Sequence, residues 1–200
     1  MKTTKIEPQF SPLFVYWHGA FTDAEIDRIV EIGLSKPLDE GVINTGGVVN
    51  EVKQQASSRT CTLNWMNPDS ENRWVFDKLQ SAFIQLNDLY FKYDLEMFEP
   101  FQFCRYHHDR KEFYGKHIDC SRGSLDQSTS RKLSVTLQLS NDYDYEGGDL
   151  LLHGADRPDI APKKKGMLVL FPSYVLHEVT PVTAGTRYSL VTWAHGPLFR

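Results

Sequence analysis

No uninterrupted apolar run in this chain exceeds five residues, and Met167 to Phe171 is one of that length. A membrane-crossing helix needs roughly 20 such residues, so no helical span is expected. The opening octet, Met1 to Pro8, lacks the apolar stretch of a secretory signal. Cysteine is scarce: Cys61, Cys104 and Cys120 are three, an odd number, with no C-x-x-C pair. That pattern argues against a disulfide framework and fits free thiols in a reducing compartment. An excess of one charge is missing too. The formal net charge is −4 and the pI about 6.0, which gives no general attraction to nucleic acid. The run Lys163-Lys164-Lys165 reads as a solvated turn. No internal repeat, low-complexity tract or linker divides the chain. Together these absences predict a soluble, cytoplasmic protein with neither membrane nor nucleic acid as partner.

What is present is ordinary globular composition, with 40% hydrophobic and 24% charged residues over 200 positions. That length suits one well-cored domain. Two helices are predicted in the first half. Thr22-Asp23-Ala24-Glu25 has the form of a capping box, and Ile26, Ile29, Val30, Gly33 and Leu34 follow at helical spacing. A second helix starts near Pro68-Asp69-Ser70 and carries Phe76, Leu79, Phe83, Leu86 and Tyr90 on one stripe. Its simplest role is to cover a sheet. Between the helices, Asp39 to Ser58 is polar, with little periodicity, and contains Gly41, Gly46 and Gly47. Arg59-Thr60-Cys61-Thr62-Leu63 then starts a short strand.

The second half reads as strands. Leu133 to Leu139 alternates strictly, leucines and valine on one face and Ser134, Thr136 and Gln138 on the other. The polar face either meets water or lines a polar cavity. Gly166 to Phe171 is a buried strand ended by Pro172, and Arg187 to Trp193 is another. Glu146-Gly147-Gly148-Asp149 and Ala184-Gly185-Thr186 mark turns. Short strands with Gly/Pro turns and no interspersed helices indicate an antiparallel sandwich or barrel.

One constellation carries chemistry. His117-Ile118-Asp119 is an H-x-D at a strand or strand end, where residues i and i+2 point the same way. His177 follows sixty residues later and Arg187 ten after that. Two histidines and a carboxylate make the facial triad of non-haem Fe(II) sites, which keeps coordination positions open. An arginine fork suits the outer carboxylate of a bidentate 2-oxo acid. A rival H-x-D, His107-x-Asp109, lies in a charged segment that reads as a turn. His18, His153 and His195 read as structural or surface residues.

From Phe101 onward the chain resembles the catalytic domain of the prolyl 4-hydroxylase and PKHD-type hydroxylases, Fe(II)/2-oxoglutarate-dependent dioxygenases. The resemblance rests on Tyr114-Gly115-Lys116-His117-Ile118-Asp119, on Gly147-Gly148-Asp149-Leu150, on Phe171-Pro172 and on His177 to Val182. It continues through Gly185-Thr186-Arg187-Tyr188-Ser189 to Trp193, and Arg59-Thr60 resembles a segment preceding the core. It implies a mainly β fold, a double-stranded β-helix (jelly roll, cupin-like) with N-terminal helices packed on the major sheet. A single domain over residues 1–200 is expected, with a helical and lid-forming part at 1–95 and a catalytic β core at 96–200.

The resemblance further implies that His117, Asp119 and His177 hold Fe(II) and that Arg187 binds 2-oxoglutarate. Tyr106, Gln138, Thr192 and Trp193 are expected around the cosubstrate, Gln138 standing where relatives often carry an aromatic residue. O2 is the second cosubstrate and L-ascorbic acid an optional addition. The implied reaction is hydroxylation of a peptidyl proline, releasing succinate and CO2. A free amino acid or small molecule remains open as substrate, as does a non-catalytic cupin-like metal-binding module. A halogenase is disfavoured, since Asp119 fills the position that a halide needs. Asp39 to Ser58 is read as a loop closing over substrate.

Overall fold

The capping box forms as its spacing predicts. In the computed structural model, which describes residues 9–11, 13–41, 58–120, 129–154 and 156–198, the Thr22 hydroxyl accepts from the Glu25 N–H. The Glu25 carboxylate in turn accepts from the Thr22 N–H at 2.8 Å. In chain order the first elements are β1 (Gln9–Phe10), β2 (Val15–His18), α1 (Asp23–Leu34), β3 (Asp39–Glu40), β4 (Arg59–Thr60), β5 (Thr62–Met66) and α2 (Arg73–Leu86). A π-helical turn, Asn87–Phe91, extends α2. Then come β6 (Met97–Phe98), β7 (Phe101–His107), a 3-10 turn (His108–Arg110), β8 (Phe113–His117) and β9 (Thr129–Gln138). The chain continues through β10 (Tyr145–Gly147), β11 (Leu150–His153), β12 (Pro158–Ile160), β13 (Met167–Pro172), β14 (His177–Val179) and β15 (Val182–Pro197). Of the segment read as a closing loop, residues 42–57 lie outside the described residues, as do residues 1–8.

Among the described residues two antiparallel sheets result. The larger has ten strands, with the path β1-β2-β13-β9-β15-β7-β5-β3 and with β6 and β10 also pairing β15. The smaller runs β12-β11-β14-β8-β4. The larger sheet separates two apolar layers, and strand alternation decides which side chain enters which. Leu133, Val135 and Leu137 of β9, Leu168 and Leu170 of β13 and Phe101 and Phe103 of β7 pack with α1 and α2. Val169, Phe171, Cys104 and Tyr106 project the other way, toward Leu150, Leu152 and Val179 of the smaller sheet. β13 is apolar throughout because both its faces are covered. This is the expected jelly roll, with the helices on the outer face of the major sheet.

α1 buries Ile26, Ile29, Ile32 and Gly33, whereas Leu34 is 46% exposed. At 3.6 residues per turn Leu34 falls on the margin of a stripe centred between Ile29 and Gly33, and Ile32 enters the core instead. Gly33 sits against Phe103, where a Cβ would come within 2.4 Å of the ring. The absent side chain lets α1 lie this close to β7. All three cysteines are free. Within the basic run, Lys163 pairs with Asp149 at 3.2 Å and Lys165 with Asp27, and of the three lysines Lys164 alone is exposed. No described helix is long and apolar enough to cross a membrane.

Candidate active site

The polar face of β9 turns inward. Ser134, Thr136 and Gln138 are all buried, and two of them hold groups singled out in the sequence. Ser134 Oγ donates to Asp119 Oδ2 at 2.7 Å, and Gln138 Oε1 accepts from Arg187 at 3.1 Å. Of the two readings of this alternating strand, the polar interior is the one realised.

His117 ends β8 and His177 begins β14, and the register places them directly opposite one another. A separation of sixty residues is thereby closed by one strand pairing. Asp119, just past the end of β8, is fixed by its backbone N–H donating to Ser173 O at 2.8 Å. The three donor groups converge within 4.8 Å of one another. His177 Nε2 lies 3.4 Å from Asp119 Oδ2, and His117 Nε2 lies 3.7 Å from Oδ1.

Both imidazoles are oriented in the same way. The Nδ1–H of His117 donates to Gly115 O at 2.8 Å, and that of His177 to Val175 O at 2.9 Å. In each ring the Nε2 lone pair is then left facing the shared centre, the arrangement of a metal-ligating histidine with its outer partner in place. Electrostatics agree. Burial, followed by the neighbouring His177, lowers the His117 pKa to about 4, which keeps the ring neutral. Burial alone would raise the Asp119 carboxyl, but His177, His117 and the Ser134 hydroxyl outweigh it, so the group is lowered and stays ionised. A neutral His117 ring beside an ionised carboxylate matches what a divalent cation requires of such ligands.

Arg187 is 1% exposed. Its guanidinium donates to Ser189 Oγ at 3.2 Å and to Gln138, and lies 5.2 Å over the Tyr106 ring. No described carboxylate pairs with it. Its Nε is buried without a hydrogen-bond partner, as is the nearby Tyr145 hydroxyl. A buried guanidinium with only neutral partners is costly unless an anion completes its shell. The donor set therefore fits an anionic cosubstrate beside the triad. Gly148, at φ +61°, passes under this side chain, and a Cβ there would lie 3.0 Å from Arg187 Cδ.

Of the remaining expected site residues, Tyr106, Gln138 and Trp193 share the inner face with Arg187. Trp193 pairs with Ser134 across β15 and β9. Thr192 lies on the opposite, helix-covered face, its hydroxyl donating to Glu99 O at 2.9 Å. It is not brought to Arg187, because five positions along a strand reverse the direction of a side chain.

Tyr114 and Arg59 carried motif resemblance but no role. The Tyr114 ring stacks on His117 at 3.6 Å with an interplanar angle of 12°. Arg59, also buried, lies 4.5 Å over Tyr114 and reaches Cys61 Sγ and Gln102. Residues three apart on a regular strand point to opposite faces. Here β8 carries an irregularity, since His177 to Val179 spans the same length as His117 to Tyr114. The extra residue re-aims Tyr114 onto its neighbour.

Residues 101–195 match the family model described as the 2OG-Fe(II) oxygenase superfamily. A PKHD-type hydroxylase of Shewanella oneidensis is 32% identical over 162 residues, which cover 72% of this chain and 71% of that relative. A PKHD-type hydroxylase of Acinetobacter baumannii is 41% identical over 98 residues, 47% of this chain and 42% of the relative. The chain thus spans well under half the length of the first curated relatives it matches. Among solved structures, a Pseudomonas putida prolyl-4-hydroxylase gives a TM-score of 0.71 at 22% identity, covering 92% of each chain. The viral collagen prolyl hydroxylase of Paramecium Bursaria Chlorella virus-1, in its 2OG complex, gives 0.68 at 20% identity over 93% of this chain and 97% of that one. At such identities these likenesses establish the fold.

Proposed function

Because the chain belongs to the 2OG-Fe(II) oxygenase superfamily, among its PKHD-type hydroxylases, we propose that it hydroxylates a C–H bond of a peptidyl proline. One 2-oxoglutarate and one O2 are consumed with each substrate C–H, and hydroxylated product, succinate and CO2 are released. The observation that carries this reading is the pairing of a two-histidine, one-carboxylate cluster, with Asp119 and His177 buried, and a buried arginine that has no anionic partner among the described residues.

His117, Asp119 and His177 would hold Fe(II) from one side, leaving other positions for cosubstrates. Bound Fe(II) supplies the activation of O2, with 2-oxoglutarate as the source of two electrons. Arg187 takes the outer carboxylate of 2-oxoglutarate, and Gln138 and Ser189 hold the guanidinium at the required angle. Ser134 fixes the Asp119 carboxylate, and Tyr114 holds the plane of His117. β9, β15 and the smaller sheet bury Asp119, His177 and Arg187, so orientation rather than protein acid–base chemistry is the chain's contribution. Ascorbate enters this reading only as an optional reductant.

A panel of proline-containing peptides with Fe(II) and 2-oxoglutarate, read by mass spectrometry and by succinate release, tests it. Hydroxylated peptide formed with matching succinate is the expected result. Faster turnover of free amino acids than of any peptide would overturn the substrate while leaving the chemistry. Absence of succinate under every condition would overturn the chemistry itself.

A further inference from the structure

The 3-10 turn after β7 places a second pair of histidines around an aspartate, on the outside of the barrel. His108 Nε2 lies 3.1 Å from Asp109 Oδ1, and His107 Nδ1 lies 3.2 Å from Asp109 Oδ2. The three residues form the second described group whose ligand atoms all fall within 4.8 Å of one another. This is the rival H-x-D of the sequence, completed by the histidine between its two members. We propose that His107, His108 and Asp109 form a second divalent-metal site, separate from the buried triad and independent of its activity.

Hydrogen-bond roles in the turn carry the inference. His108 Nδ1 faces Gly185 O at 3.0 Å, and a carbonyl can only accept, so Nδ1 holds the hydrogen. In the neutral ring Nε2 then directs its lone pair at an anionic oxygen. His107 Nδ1 accepts from the backbone N–H of Asp109 at 3.3 Å, which keeps that nitrogen free of hydrogen beside the carboxylate. The His108 lone pair and the Asp109 oxygen 3.1 Å from it repel unless positive charge lies between them. A cation there takes both of these groups, and His107 Nδ1 becomes the third donor by releasing the backbone N–H.

The spacing is right for this. Two ligands about 2.1 Å from one ion and at right angles to each other are separated by roughly 3 Å. Nor does a side-chain cation already neutralise the carboxylate. Arg110 is committed to Glu40 and Glu112, and no described Lys or Arg pairs with Asp109. An imidazole-rich, partly exposed set of this kind selects late first-row divalent ions such as Zn2+, Ni2+ or Cu2+, with water in the remaining positions, over Mg2+ or Ca2+.

Zn2+ titration of the metal-free full chain by calorimetry tests the proposal. A His117→Ala/His177→Ala variant, lacking the buried ligands, is expected to take up one equivalent. Adding His108→Ala to that variant should weaken the remaining binding at least as much as the roughly 10–100-fold seen when an outer partner of a metal ligand is lost. Where the buried double variant does not fold, the wild type is compared with His107→Ala/His108→Ala, and two equivalents should fall to one. Zn2+ should also shift the imidazole resonances of His107 and His108. Uptake that is absent in the triad-less variant, or that is unchanged when His107 and His108 are replaced, overturns the site and leaves protons as the only cations in the turn.

Discussion

The two faces of β9, a central strand of the major sheet, have opposite chemistry. On the outer face β9 offers Leu133, Val135 and Leu137 to the helices; on the inner face it offers Ser134 and Gln138 to Asp119 and Arg187. Both faces are buried, so burial alone does not distinguish core from site. The difference lies in what each face needs: shape on the outside, and partners for charge on the inside. Substitutions on the outer face should therefore cost stability, and those on the inner face activity.

The largest effect is expected at Asp119. Asp119→Ala should abolish 2-oxoglutarate turnover while the metal-free protein still unfolds cooperatively near the wild-type temperature. Succinate production at the normal rate would remove the triad from the mechanism. On the outer face Phe103→Ala should cost about 3–5 kcal/mol by chemical denaturation, because a fully buried ring between β7 and α1 is lost. A loss below about 1 kcal/mol would mean that the two faces do not divide their labour in this way.

Arg187→Ala should raise the 2-oxoglutarate half-saturation by the equivalent of about 2–5 kcal/mol while Fe(II) still binds, with Arg187→Lys rescuing only part. An unmoved half-saturation would show that the guanidinium holds something else. The smallest effect is expected at Ser134. Ser134→Ala removes the hydroxyl that orients Asp119 and should weaken metal binding by roughly 10–100-fold with little change in folding stability. Ser134→Ala melting early at unchanged metal affinity would place that hydroxyl among the structural groups instead.

The residues that could be read in the sequence obey a single local rule. His117 and Asp119 are two apart at a strand end, and Ser134, Thr136 and Gln138 follow a period of two. In each case spacing alone gives a shared direction. The same rule, applied from Arg187, puts Thr192 on the far face; the resemblance drew it toward the cosubstrate, and the strand did not follow. Tyr114 is the converse case. Three residues from His117 it should point away, and only a local irregularity in β8, which leaves no mark in composition or periodicity, brings the rings together. The partnership of His117 with His177 is non-local, and its evidence lay in the set of motifs rather than in any local periodicity.

That partnership has a mechanical side. His117 and His177 sit opposite each other on adjacent strands, so an ion gripped by both rivets together positions sixty residues apart in the chain. A rivet of this kind shrinks the conformational freedom of the unfolded polymer as a covalent bridge would, by an amount that grows slowly with the span enclosed. Occupancy of the centre and resistance to proteolysis should therefore rise and fall together, and a chelator that silences the protein also loosens its smaller sheet.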